Sequence, residues 1–191
     1  MTEPEDLPTI EVIFSADIIA RRIQDLAGEI ADKNLKRLLV VPILKGSFIF
    51  AADLIRALHH SGLHPEVDFL TLSSYRDKTT SSGVVQVVRD IETEISGRDV
   101  LVIDDILESG RTLAHAKDLI AARGANSVTT CVLLDKPVRR AAQIGADLRA
   151  FDCPDIFVVG YGMDLAHRFR ELPYVGNLIT DPAGSKPDDA D

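Results

Sequence analysis

Apolar positions change their period several times along the chain, and each change marks a new element. Ile19, Ile23, Leu26 and Ile30 recur at helical spacing behind Ser15, a residue suited to capping a helix start. Residues 38–44 form a nearly continuous apolar run, the pattern of a strand covered on both faces. Phe48, Ala51, Ile55 and Leu58 predict a second amphipathic helix that ends near residues 59–62. Residues 67–72 predict another strand, and 73–83 a polar, aperiodic and mobile loop. Strand character resumes over 84–88, and Gly97 marks the turn into a strand that begins at Val100. Leu113, Ala116 and Ile120 share the face of a helix that stops near Gly124. Residues 127–134 predict the next strand and 157–161 a last short one.

Strands alternating with helices point to an α/β domain, a mostly parallel twisted sheet flanked by helices. Ligands of such sheets sit beyond the strand C-termini. The expected organisation is one domain over 1–180, with a core over about 36–150. A small hood is expected from about 1–35 and 151–180, and a disordered tail over 181–191.

The 191 residues suffice for one domain with a real core. A net charge of −9 argues against a broad nucleic-acid-binding face, so no nucleic-acid partner is expected. No apolar run approaches the roughly 18–20 residues of a membrane span. The acidic N-terminus lacks the basic and apolar regions of a signal peptide. Cys131 and Cys153 form neither a disulfide framework nor a metal spacing, and are expected as reduced packing residues. The expected location is cytoplasmic.

The chemistry concentrates in Val100-Leu-Val-Ile-Asp104-Asp105-Ile-Leu-Glu108-Ser109-Gly110-Arg111-Thr112-Leu113. A strand, a polar turn and a helix start offer free N–H groups and a helix dipole to a phosphate. The nucleotide P-loop pattern is absent, and the shorter turn suits a single terminal phosphate, or simply a capped helix start. Asp104 and Asp105 are adjacent on a strand and therefore point to opposite faces. Both reach one ligand only if the backbone turns there; otherwise one of them meets solvent or a basic residue.

Ile103-Asp-Asp-Ile-Leu-Glu-Ser-Gly-Arg-Thr-Leu113 resembles the phosphoribosyl-pyrophosphate (PRPP) motif of the type I phosphoribosyltransferases. Pro42-Ile-Leu-Lys45-Gly46-Ser47 resembles the pyrophosphate loop of the hypoxanthine/guanine branch. Phe157-Val-Val-Gly-Tyr-Gly-Met-Asp164 and Phe169-Arg170-Glu-Leu-Pro-Tyr-Val-Gly176 resemble its purine-binding segment, and Ser74-Tyr75 its lid loop. The resemblance runs over about 38–176 with the motifs in order.

It implies the type I phosphoribosyltransferase fold and transfer of the phosphoribosyl group of PRPP to hypoxanthine, and to guanine, in purine salvage. Asp104 and Asp105 would hold the ribose hydroxyls, directly or through Mg²⁺, with Asp164 near the base or a second metal. Ser109, Gly110, Arg111 and Thr112 would anchor the 5-phosphate, and Lys45, Gly46 and Arg170 the pyrophosphate. The family's non-proline cis peptide would fall at Leu44–Lys45. Phe157 would stack on the purine and Val158 would meet its edge. Without the family, Phe157 reads as core and Lys45 as a solvated lysine. The resemblance also implies a homo-oligomer, dimer or tetramer.

Three positions depart from the family. Glu108 stands where an aspartate is usual as the general acid or base. The family's 6-oxo-reading lysine aligns with Gly145, leaving Lys136 as a nearby substitute, and Ile156 stands where some members carry lysine. The alternative function is a PRPP- or nucleotide-sensing regulator on the same fold.

Overall fold

The computed structural model describes residues 8–75 and 84–180. Ser15, in extended geometry, accepts a hydrogen bond from Ile18 N–H and starts α1 (Ala16–Asp32), which buries Ile19, Ile23, Leu26, Ala27 and Ile30. The central sheet contains β2 (Leu39–Leu44), β3 (Glu66–Val67), β4 (Leu70–Tyr75), β5 (Val84–Arg89), β6 (Asp99–Leu107), β7 (Ser127–Asp135) and β8 (Leu148–Asp152). Its order is β5-β4-β2-β6-β7-β8, with β3 also paired to β2. Only the β4–β5 pair is antiparallel, so the mostly parallel sheet expected from the strand–helix alternation is what forms. Besides α1, the sheet is flanked by α2 (Phe48–His60) and α3 (Arg111–Ala122).

Parity along β6 divides the core between the two faces. Leu101 and Ile103 pack with the buried faces of α1 and α2. Val100 and Val102 pack with Leu113, Ala116 and Ile120 of α3. A strand buried on both sides needs apolar residues at both parities, which is why these runs show no alternation. Cys131 and Cys153 are buried free thiols, and burial pushes the Cys131 thiol up to about 12.

Two expected elements differ in outline. The strand expected over 67–72 is broken at Asp68 and Phe69, between β3 and β4. Asp68 turns its carboxylate back onto the N–H groups of Phe69, Glu92 and Thr93, each at 2.8 Å. Pro42, which has no N–H to give, lies on β2 between the residues that pair with β3 and those that pair with β4. The loop expected from Ser73 starts later, because Ser73, Ser74 and Tyr75 pair with Gln86, Val85 and Val84. The rest of that loop, 76–83, and the tail over 181–191 lie outside the described residues.

A second, antiparallel sheet joins β1 (Thr9–Phe14), β10 (Val175–Thr180) and β9 (Val158–Val159). The strand expected over 157–161 shrinks to two residues because the chain turns at Gly160 (φ 93°) and Tyr161 (φ 51°), and it is not the last. Of the N-terminal segment assigned to the hood, β1 enters this small sheet, whereas α1 packs against α2 in the main core. No helix among the described residues is long and apolar enough to cross a membrane.

Candidate active site

Two loops leave the C-terminal ends of neighbouring parallel strands, one from β2 into α2 and one from β6 into α3. In the first, the Leu44–Lys45 peptide is cis. Fully buried Ser47 donates its hydroxyl to Ile43 O at 2.5 Å, and Phe48 N–H reaches Lys45 O at 3.2 Å. Gly46 is obligatory here, since a Cβ on it would overlap the Asp105 carboxylate. Gly162 approaches from the other side, and a Cβ there would collide with Gly46 O. Lys45 itself is exposed.

The second loop brings Glu108, Ser109, Gly110 and Thr112 around a cleft of about 210 Å³, with Asp104 at its base. Gly110 holds the left-handed φ of 79° just before α3, and no side chain caps that helix. The N-cap residue thus brings no side-chain acceptor to the first turn of α3, whose positive dipole end suits an anion. Arg111 N–H lies 3.4 Å from Ser109 Oγ, while the Arg111 side chain is exposed and lines neither cleft.

Asp105, of opposite parity to Asp104, faces a larger cleft of about 660 Å³. Lys45, Gly46, Phe157, Val158, Asp164 and Arg170 line it, together with Thr71, Leu72, Ser73, Val88 and Met163. Ile106 borders both clefts, so the two meet across the end of β6. Phe157 belongs to neither buried core and forms part of this wall instead. Arg170 donates to Gly162 O at 2.6 Å and pairs with Asp164 at 2.6 Å. Asp164 also accepts His167 N–H at 2.8 Å.

The acids carry a charge problem. Burial pushes the Asp104 carboxyl well above its ordinary range, and the neighbouring Asp105 charge adds to the shift. Burial also raises Asp105, against opposing hydrogen bonds and the Arg170 charge. Among the described residues no three acidic, histidine or cysteine side chains converge into a metal cage, so Asp104, Asp105 and Asp164 do not form one. Hard oxygen donors that leave most positions open fit Mg²⁺, which keeps waters and takes oxygens from phosphates.

A phosphoribosyl transferase domain model matches residues 10–166. The chain belongs to this family. It is 42% identical over 170 residues to the hypoxanthine-guanine phosphoribosyltransferase of Dictyostelium discoideum, covering 88% of this chain and 94% of that one. The enzyme of the same name from Bacillus subtilis is 42% identical over 169 residues, covering 88% and 92%. A crystal structure of a Staphylococcus aureus hypoxanthine phosphoribosyltransferase superposes with a TM-score of 0.82 at 40% identity, covering 88% of this chain and 90% of that one.

Within this phosphoribosyl transferase domain, Glu108 and Lys136 form one unit. Lys136 Nζ pairs with Glu108 Oε1 at 2.9 Å, and its side chain is 9% exposed against 35% for the glutamate. Lys136 N–H also reaches Leu107 O at 2.9 Å, which ties the residue to the second loop. Gly145 has open space where a side chain would begin. Ile156 packs against the main core. Ser74 and Tyr75 place their backbones at the end of β4, beside the larger cleft that Ser73 lines.

Sequence reasoning passed over Gly162, Met163 and Arg140. The Gly-Tyr-Gly run at 160–162 was a usable signal for a close backbone approach. Arg140 joins nearby Asp135 and Ile144 to the carbonyls of Leu107 and Glu108, and nothing local in the sequence marks those distant partners.

Proposed function

We propose that this phosphoribosyl transferase moves the 5-phosphoribosyl group of PRPP onto hypoxanthine, and onto guanine, forming IMP or GMP with release of pyrophosphate. One observation carries the reading: two N–H-rich loops stand at the ends of adjacent parallel strands, on either side of an acidic pair, beside an aromatic-walled cleft. The order of those parts across the strand ends suits a sugar with a phosphate at one end and pyrophosphate at the other. The names of the relatives support the same substrate class.

In this reading a purine nitrogen attacks C1 of the ribose as the bond to the pyrophosphate oxygen breaks. The transition state carries positive charge on the sugar ring, as in glycoside transfer. Ser109, Gly110, Arg111 and Thr112 hold the 5-phosphate, and Lys45, Gly46 and Arg170 hold the pyrophosphate. Asp104 and Asp105 orient the ribose hydroxyls and set negative charge near the ring. Phe157 stacks on the base and Val158 offers its backbone to the base edge. Glu108 takes the proton released by the purine, and Lys136, paired with it, meets the oxo group of the base. Lys136 lines neither cleft, and its pairing with Glu108 is what supports the role. Ser74 and Tyr75, the pair that resembles the family's lid loop, end β4 beside the larger cleft. Asp104 and Asp105 would meet Mg²⁺ at the ribose hydroxyls and Asp164 would meet a second ion, and the metal would supply charge neutralisation for the leaving pyrophosphate.

Incubation with PRPP, Mg²⁺ and each of hypoxanthine, guanine, xanthine and adenine, followed by ultraviolet spectroscopy, tests this. Conversion of hypoxanthine, with guanine beside it, is the expected result. PRPP binding without conversion of any base removes the transferase assignment.

A further inference from the structure

Three consecutive carbonyls, one at the end of β6 and two in the loop after it, are all taken by one segment, residues 136–142. Leu107 O accepts from Lys136 N–H at 2.9 Å and from Arg140 Nη2 at 3.1 Å. Glu108 O accepts from Arg140 Nε at 2.9 Å. Ser109 O accepts from the N–H groups of Ala141 and Ala142 at 2.9 and 3.0 Å. In a trans peptide the carbonyl of one residue and the N–H of the next point in opposite directions. Turning these three carbonyls toward 136–142 therefore turns the N–H groups of Glu108, Ser109 and Gly110 away from it. Glu108, Ser109 and Gly110 line the small cleft, which residues 136–142 do not line. A concave set of N–H groups of this kind attracts an anion, and a single flipped peptide would put a carbonyl oxygen in its place.

We infer that Arg140 is the positioning residue that builds this anion site, an inference that rests on the phosphoribosyl transfer proposed above. Its guanidinium is a fixed fork with several donors, and here each arm has its own partner. Besides Leu107 O and Glu108 O it donates to Ile144 O at 2.6 Å and pairs with Asp135. The Asp135 carboxylate balances the guanidinium charge, so Arg140 acts through the loop rather than as a phosphate ligand. The fit continues at Gly110, where a Cβ would stand 2.7 Å from Ile144 Cγ2 and 3.0 Å from Arg140 Cδ. Lysine has one ammonium on a flexible stem and cannot hold three carbonyls in place at once.

The test compares Arg140→Lys, Arg140→Met and Asp135→Asn with the wild-type enzyme. PRPP affinity with Mg²⁺ is measured by calorimetry, KM for PRPP and for hypoxanthine by steady-state kinetics, and folding by thermal melts. Both Arg140 variants are expected to weaken PRPP binding about tenfold or more while KM for hypoxanthine moves less than about threefold. Such losses fit a truncated charge-assisted hydrogen bond. Asp135→Asn keeps the carbonyl bonds and is expected to bind PRPP within about threefold of wild type. Arg140→Lys decides the matter if Arg140→Met does not fold. A folded Arg140→Lys variant with wild-type PRPP affinity overturns the inference, even if its melting point falls. Wild-type binding of PRPP without turnover defeats the transferase reading alone, and the same titrations still judge Arg140. Absence of PRPP binding in the wild type defeats both.

Discussion

Asp104 and Asp105 share a peptide bond and serve opposite faces of the sheet. Asp104 lies with the loop that starts α3, and Asp105 touches Gly46 in the loop that starts α2. β6 runs on to Leu107 without a turn, yet the two carboxyls stay close enough to interact by charge and by a side-chain hydrogen bond. A ligand reaches both by straddling the end of the strand. The double variant Asp104→Asn with Asp105→Asn is therefore expected to lose at least about 100-fold in kcat/KM, the scale of removing transition-state charge stabilisation.

The same variant makes a prediction of opposite sign for stability. Both carboxyls are raised in the folded protein by burial, with mutual repulsion adding at Asp104. A carboxyl raised on folding costs stability while ionised; the cost begins to shrink as pH falls below its native value and is gone only below the ordinary carboxyl value. The double amide variant is expected to melt higher than wild type at pH 8, with the gap closing on acidification. Thermal melts from pH 8 to pH 4 measure it, and a lower melting point at pH 8 refutes the strain assigned to the pair.

Gly46 and Gly28 form a matched contrast. A Cβ at Gly46 would enter the Asp105 carboxylate, whereas at Gly28, inside α1, it meets nothing within 4 Å. Gly46→Ala is expected to destabilise the fold by about 1–3 kcal/mol and to raise KM for PRPP. Gly28→Ala is expected to stabilise it by about 0.5–1 kcal/mol with kinetics unchanged. Denaturant melts and PRPP kinetics on the two variants check both signs.

Tyr161 anchors the turn after β9 to α2, its hydroxyl donating to Asp53 Oδ2 at 2.5 Å. Burial pushes the phenol upward, and the Asp53 contact adds to the shift. Asp53 keeps its pairing with Arg56 if the hydroxyl is lost. Tyr161→Phe is therefore expected to cost about 1 kcal/mol and to leave the fold intact, measured by urea melts.

Much of the main sheet was legible because its strands are apolar at both parities and its helices carry clear stripes. The second sheet was not. Val12 of β1 and Ile179 of β10 stay half exposed, so neither strand shows a clean burial period. Their pairing joins residues 9 and 180, a contact that local pattern cannot report. The break at Asp68 was hidden for a similar reason, since its carboxylate is satisfied by N–H groups at 92 and 93. The motif residues lay where strand ends and helix starts were expected. Their supports reach across the sequence: Arg140 joins nearby Asp135 and Ile144 to carbonyls some thirty residues away.

The Lys136–Glu108 pair gives the sharpest kinetic test. Glu108→Gln keeps an oxygen for Lys136 and removes only the ability to take a proton. If Glu108 handles the purine proton, kcat falls about 100-fold while KM for hypoxanthine changes little, the usual scale for a lost general base. Lys136→Met leaves the carboxylate in place without its 2.9 Å partner and removes the buried ammonium. If Lys136 meets the oxo group of the base, KM for hypoxanthine rises about tenfold or more, in line with a lost charge-assisted hydrogen bond. Glu108→Asp shortens the acid by one methylene, and the Lys136 stem has the freedom to follow it. That variant is expected to keep kcat within about tenfold of wild type, well above Glu108→Gln. Steady-state kinetics on the three variants separate the roles. A Gln variant with wild-type kcat removes Glu108 from proton transfer and leaves it as the counter-ion that holds Lys136.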